Sequence, residues 1–497
     1  MVFSHLFFLY AFLPLLMILY YAGKKASWRR GILLVFSLLF YAWGEPVYIL
    51  LMLGSALMNY LFGFFIGQTE DAQKKKLYLW IGVALNLGLL GVFKYTGFAV
   101  ETFNGLISFT GLALPVPKIA LPLGISFYTF QAMTYIIDVH RGYCQPQKKF
   151  SKVLLYICLF PQLVAGPIVR YVDVEEALEN RRVSAGQINA GIWRFAIGLG
   201  KKVILSNTCA LACQNLFSSA GNTVLGNWSA VLFYALQIYF DFSGYSDMAI
   251  GLGHMFGFTF PENFNYPYIS GSISEFWRRW HMTLSGWFRD YLFYPVLRSD
   301  TMSGMARRLK KSGHKAASRA VPTILALLIV WFSTGLWHGA NWNYVLWGLY
   351  YGFWLILEQF VTDKWMKKLP KTASFLLGHA GSIVIILVGY AIFYHETDLF
   401  VNLGKLFGIG VASFSSAYAG ALLYENGILL LVSLLCVTPL GHMAFEALRR
   451  QMRNSWGPLR AYNVDRVIKT ALVILLLIVC TLRLVGDSYN PFIYFKF

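Results

Sequence analysis

Long apolar runs separated by short basic breaks set the rhythm of this chain from end to end. Phe3 to Tyr21 is the first run, followed by Lys24, Lys25, Arg29 and Arg30. No positive charge precedes it, so it predicts an uncleaved first helix and not a signal peptide. Gly31 to Trp43 and Val47 to Ile66 form a pair broken at Gly44-Glu45-Pro46, where glycine and proline mark a turn. Leu77 to Phe93, Trp228 to Phe258, Pro322 to His338, Tyr344 to Phe360, Ser382 to Tyr394, Gly427 to Phe445 and Val467 to Val485 continue the pattern. At roughly 20 residues per crossing, the chain predicts about 11 to 13 membrane-inserted helical segments.

Three runs depart from a simple crossing. Ile119 to Ile137 contains Pro122 and Gly124 and carries Ser126, Tyr128, Thr129, Gln131 and Thr134, too polar a set for a lipid-facing helix. It predicts a cavity-lining or partly re-entrant segment. Val153 to Val169 is interrupted by Pro161 and is followed by arginines that a simple count of crossings would place on the wrong side, which again predicts re-entry. Phe276 to Leu297 mixes charge and aromatics and suits a helix lying in the interface or plugged into the protein. Ser272 and Glu275 have the spacing of a capping box at its start. On a continuous helix Arg278, His281 and Ser285 would share one face.

Composition places the whole chain in the membrane class. Of 497 residues, 57% are hydrophobic and 13% charged, about half the roughly 25% charge of soluble domains. One polytopic domain over residues 1–485 follows, with an extracytoplasmic tail at 486–497. The net charge of +19 falls in short clusters, such as Lys74-Lys75-Lys76 and Arg307-Arg308, between apolar runs. That is the pattern of cytoplasmic loops, and it argues against a nucleic-acid partner. The six cysteines show no disulfide framework, and Cys209 and Cys213 have no further ligand close by, so no metal site is expected.

The candidate chemistry lies in two histidines in tryptophan-rich settings. His338 stands between two apolar runs, ringed by Trp331, Trp337, Trp342 and Trp347. An ionisable group at membrane depth is costly to bury and points to function. The alternative is an interfacial histidine among belt tryptophans. His281 has the same ambiguity. Asp241 and Asp247, inside an apolar helix, need partners, and pairing to nearby Arg or Lys as structural glue is preferred over direct catalysis. No nucleotide fingerprint, HExxH or GxSxG occurs. By elimination, a neutral histidine acting as general base on a hydroxyl remains.

Six stretches sharpen this reading. They are Leu121 to Asp138 (LPLGISFYTFQAMTYIID), Phe160 to Tyr171 (FPQLVAGPIVRY), Tyr239 to Tyr268 (YFDFSGYSDMAIGLGHMFGFTFPENFNYPY), Glu275 to Pro295 (EFWRRWHMTLSGWFRDYLFYP), Gly335 to Trp342 (GLWHGANW) and Asn490 to Phe497 (NPFIYFKF). With them the chain resembles the membrane-bound O-acyltransferase superfamily, in its bacterial branch of alginate, peptidoglycan and other polysaccharide O-acetylases. The resemblance implies an all-α polytopic fold around a central funnel or tunnel, in the bacterial cytoplasmic membrane. It makes His338 the catalytic histidine and His281 a second active-site position. Acetyl-coenzyme A becomes the donor, used as a substrate and not bound permanently. The tail resembles a motif whose tyrosine, in teichoic-acid D-alanylation, sits on a separate subunit and is thought to carry the acyl group, so Tyr494 becomes a candidate nucleophile. Asn341 is expected to position the thioester or its oxyanion with His281, and Arg278 and Arg279, or the lysines of the neighbouring loop, to hold the nucleotide phosphates. Trp280, Ser285 and Trp337 are further expected substrate contacts. The acetyl group would then pass to a separate extracytoplasmic esterase-like transferase of SGNH type.

Two alternatives stand beside this: an acyltransferase fed by a carrier protein, as in D-alanylation, and a glycan or lipid transporter without covalent chemistry. One tension accompanies the main reading. A straight helix from Pro322 would put His338 about 24 Å from the basic loop before it, too deep for direct contact with a cytoplasmic donor.

Overall fold

The computed structural model describes residues 2–218 and 222–486, and among these the regular structure is all helix. The helices that carry the argument are α1 (Ile49–Gln68), α2 (Ala72–Leu90), α3 (Ile125–Arg141), α4 (Ala185–Gly200), α5 (Val224–Phe256), α6 (Ile273–Arg279), α7 (Met282–Phe288), α8 (Lys315–His338), α9 (Trp342–Leu357), α10 (Lys371–Tyr394), α11 (Leu440–Trp456) and α12 (Pro458–Gly486). Among the described residues six continuous helical stretches are long and apolar enough to cross a bilayer, and a pair bent by 57° at Ala417–Glu425 and Gly427–Cys436 makes a seventh if counted as one span. The other helices are shorter, broken or less apolar, so the 11 to 13 inserted segments expected from the sequence are not matched by full-length crossings among the described residues.

Those broken pieces form the centre. Helix α3 is buried along nearly all its length, and its polar residues pair within the protein. The indole of Trp287 donates to Thr134 Oγ1 at 2.8 Å and the Tyr291 hydroxyl to Asp138 Oδ1 at 2.8 Å. The polar run thus grips the charged-aromatic segment that follows α5. Residues 150–163 form two short buried helices, Phe150–Cys158 and Phe160–Leu163, broken just before Pro161. Neither approaches the length of a crossing.

Close approach of backbones fixes the helix pairs. Helices α4 and α5 meet through glycines: a Cβ on Gly198 would lie 2.5 Å from the Gly244 carbonyl, and one on Gly191 2.5 Å from that of Gly251. Small residues allow such packing where lipid supplies no hydrophobic drive between helices. In the same pair Asp241 lies 2.6 Å from Lys202, both buried, and Asp247 lies 2.9 Å from Arg194 and 2.7 Å from Lys201. The α8–α9 hairpin uses Gly335 and Gly348 in the same way, against the backbone carbonyls of Tyr344 and Trp331. That hairpin carries His338 at its turn.

Candidate active site

His338 is the last residue of α8, and the chain reverses at once into α9. Its side chain is buried at 3% exposure. Aromatic rings wall it: Trp347 at 4.8 Å between ring centroids, Trp337 at 4.9 Å and Phe393 at 5.5 Å. Neither ring nitrogen has a hydrogen-bond partner among the described residues. A buried polar group in that condition is uncommon enough to need an explanation, and catalysis is one. The indole N–H groups of Trp277, Trp337 and Trp347 are also buried without an acceptor among the described residues.

His281 reaches the same place from another element. The segment expected to be one helix, in the interface or plugged into the protein, is instead broken at Trp280-His281, between α6 and α7. Glu358 accepts hydrogen bonds from the Ile273 and Ser274 amides and fixes the start of α6. Ser272 accepts from the Glu275 amide at 3.1 Å, half of a capping box, while the Glu275 carboxylate takes the Gly271 amide at 3.0 Å. Burial pushes the Glu275 carboxyl up, but the Gly271 amide and the Arg279 guanidinium outweigh it and hold it below the usual range. His281 itself has φ of 44°, in the left-handed region, where a non-glycine residue is held only by its surroundings. This break turns Arg278, His281 and Ser285 off a common helical face. The expectation of a shared face therefore fails, because the chain has left α geometry between the first two.

The holder of His281 is Asn263, which the sequence reading passed over. Asn263 Oδ1 accepts from the Thr283 amide at 3.3 Å and the Thr283 hydroxyl at 2.9 Å, and it lies 3.0 Å from His281 Nδ1. An oxygen already facing an amide N–H is an acceptor, so Nδ1 carries the proton and Nε2 is the acceptor nitrogen of the neutral ring. Burial pushes the His281 imidazole well below its ordinary range, and the nearby His338 adds to this. Trp337 packs against both histidines, 6.0 Å from His281 and 4.9 Å from His338 by ring centroids.

The other expected residues spread over the surroundings. Trp280 is buried against Phe264 and Tyr390. Asn341 is the N-cap of α9, its side chain accepting from the Asn343 amide at 3.4 Å. Arg279 is tied to Glu275 at 2.8 Å and to the Asn265 carbonyl at 3.1 Å. Arg278 is exposed, and Ser285 is half-buried, its amide donating to the His281 carbonyl at 3.0 Å. Tyr494 lies outside the described residues.

A cavity of about 1300 Å³ lies between α4, α5, α11 and α12. Its walls include Asn263, Phe264 and Met282, the residues that bracket His281. Five Lys and Arg side chains line it (Arg194, Lys201, Arg449, Arg466 and Lys469) against three carboxylates, Asp247, Glu262 and Asp465. Arg278 and Arg279 are not among its lining. The basic groups that are lie in an amphipathic basic stretch at 194–201 and in the positive excess at 449–469.

Residues 146–392, which contain both histidines, match the family described as MBOAT, membrane-bound O-acyltransferase. The chain is 36% identical to a probable alginate O-acetylase of Pseudomonas putida over the full length of both. The chain belongs to the membrane-bound O-acyltransferase family, and it is an acyltransferase. It is also 30% identical to a peptidoglycan O-acetyltransferase of Helicobacter pylori, over 99% of this chain and 96% of that one. A teichoic acid D-alanyltransferase of Bacillus subtilis is 34% identical over 50% of this chain and 60% of its own. Membership of an acyltransferase family removes the support for a transporter without covalent chemistry.

Proposed function

We propose that this chain takes an acetyl group from cytoplasmic acetyl-coenzyme A and delivers it across the bacterial cytoplasmic membrane for O-acetylation of an extracytoplasmic polysaccharide. Alginate, peptidoglycan and other exopolysaccharides are the acceptor class, in keeping with the similarity to alginate and peptidoglycan O-acetyltransferases over whole chains. The observation that carries the reading is His338: a buried imidazole with both nitrogens unengaged among the described residues, one aromatic ring away from a second, oriented histidine.

In this reading His338 removes the proton from an attacking hydroxyl, that of Tyr494 or of an acceptor. The oxygen adds to the thioester carbonyl, and the carbon–sulfur bond then breaks. The coenzyme A thiolate leaves with the proton that His338 had taken. The neutral His281 ring offers Nε2 as an acceptor, which suits orienting a hydroxyl better than donating to an oxyanion. The indole N–H groups of Trp337 and Trp347, beside His338, suit the oxyanion. The donor enters from the 1300 Å³ cavity, whose cationic excess matches nucleotide phosphates and whose wall at Asn263 backs onto His281. This route relieves the depth problem of a straight α8. A separate esterase-like SGNH transferase then receives the acetyl group from Tyr494.

The test is transfer of labelled acetyl from acetyl-coenzyme A to the purified protein in detergent, with His338→Ala and Tyr494→Phe alongside. Label lost in both variants supports a relay through Tyr494. Label lost only in His338→Ala removes the tyrosine intermediate and keeps the acyltransferase. The similarity to D-alanyltransferases favours one second reading, a carrier-protein thioester as donor. Transfer from an acyl-carrier thioester with none from acetyl-coenzyme A would establish it.

A further inference from the structure

The turn that presents His338 is held from outside its own hairpin. A helix ends with carbonyls that have no intrahelical donor. In α8 the Gly335 carbonyl takes the Gly339 amide at 3.3 Å. The Leu336 carbonyl takes the Tyr95 hydroxyl at 2.8 Å, and the Trp337 carbonyl takes the ammonium of Lys94. Lys94 and Tyr95 are consecutive and end a π-helical stretch, Gly91–Tyr95, that interrupts the regular course of the long helix beginning with α2. Such turns occur mostly as single insertions and often at functional sites.

Lys94 is more than a helix cap needs. Its side chain is buried, with Ser126 Oγ 3.1 Å from Nζ and the Trp337 ring centroid at 5.9 Å. No carboxylate lies within ion-pair distance among the described residues. A neutral donor such as the neighbouring tyrosine satisfies a terminal carbonyl without the cost of burying a charge. The residue it grips is Trp337, whose ring packs against both His281 and His338. We propose that Lys94 is a positioning residue for acyl transfer: anchored on Ser126, its ammonium holds the Trp337 carbonyl and indole and so fixes His338 against His281. The kinetic part of this proposal rests on the acetyl-coenzyme A reading above.

The experiment compares the full chain in detergent with Lys94→Met, Lys94→Arg and Ser126→Ala. It measures melting temperature, kcat, KM for acetyl-coenzyme A, and the rate of His338 modification by diethyl pyrocarbonate read by mass spectrometry. Lys94→Met is expected to lower kcat about 100-fold, the scale of a misplaced catalytic group, with KM within about twofold. His338 modification is expected to speed up as the turn loosens. Lys94→Arg restores about tenfold of the loss, and Ser126→Ala, which removes only the anchor, lowers kcat about tenfold. A Lys94→Met enzyme with kcat within about threefold of wild type overturns the proposal. So does a loss that follows the melting temperature and is not restored by arginine. If Lys94→Met does not fold, Ser126→Ala decides, and an unchanged kcat there overturns it. If the wild type does not turn over acetyl-coenzyme A, the donor reading has failed. The modification rates then still judge Lys94: equal rates in wild type and Lys94→Met overturn it.

Discussion

Asn263 sets the proton on His281. With Oδ1 occupied by the Thr283 amide and hydroxyl, only the Nδ1-protonated ring is compatible with the 3.0 Å contact. Asn263→Ala is therefore expected to leave the chain folded but free the ring to turn and change tautomer, lowering kcat about 10–100-fold with little change in KM. Steady-state kinetics with acetyl-coenzyme A, beside a melting curve, checks this; a rise in KM alone would mean that Asn263 serves binding and not orientation. The two histidines were legible in the sequence because an ionisable group amid tryptophans and apolar runs is conspicuous. Asn263 was not. It lies in a loop of asparagines and aromatics, and only the fold shows which asparagine meets a ring 18 positions away. Arg278 was over-read for the converse reason. Its spacing to His281 had meaning on a continuous helix, and the left-handed backbone at His281 ends that helix.

At the scale of elements, long helices follow the apolar runs and short ones do not. The crossings at Ile49–Gln68, Lys315–His338, Lys371–Tyr394 and Pro458–Gly486 correspond to runs visible in the sequence. The pieces that build the site are buried among other helices, so their polar positions pair with one another, as Thr134 with Trp287 and Asp138 with Tyr291. Periodicity against lipid cannot reveal them, because they do not face lipid. The α8–α9 hairpin shows what does hold the site. Gly335 abuts the Tyr344 backbone, which has no flexible side chain to yield. Gly335→Ala should force the two helices apart and cost about 1–3 kcal/mol, the usual range for overpacking. The expected result is a lower melting temperature of the detergent-solubilised protein together with lost activity, since His338 sits three residues further on. An unchanged melting temperature would show that the hairpin can open without penalty.

For the whole molecule, the proposed reaction requires a donor on one side to meet an acceptor on the other. Helix α12 forms one wall of the large cavity while only 11% of its apolar window is buried, so the cavity lies near the outside of the helix assembly, yet it ends at the residues that bracket His281. The basic excess on that wall, from Arg449 to Arg466 with Lys469 just inside the last run, lies at the break between two apolar runs, where the charge pattern predicts the cytoplasm. His338, at the end of α8, shares the Trp337 ring with His281. If this is the donor's path, filling the cavity must impair the donor and spare the histidine. Val473, on α12 and half-buried, lines the cavity one helical turn beyond Lys469 and carries no charge itself. Val473→Trp is expected to raise KM for acetyl-coenzyme A about tenfold or more, through loss of binding, while His338 keeps its wild-type rate of modification by diethyl pyrocarbonate. Unchanged KM in a folded Val473→Trp protein would move the donor's entry elsewhere. Slower modification of His338 in the same variant would mean instead that the cavity is the route by which small molecules from water reach the His338 ring, a role compatible with a donor of any chemistry.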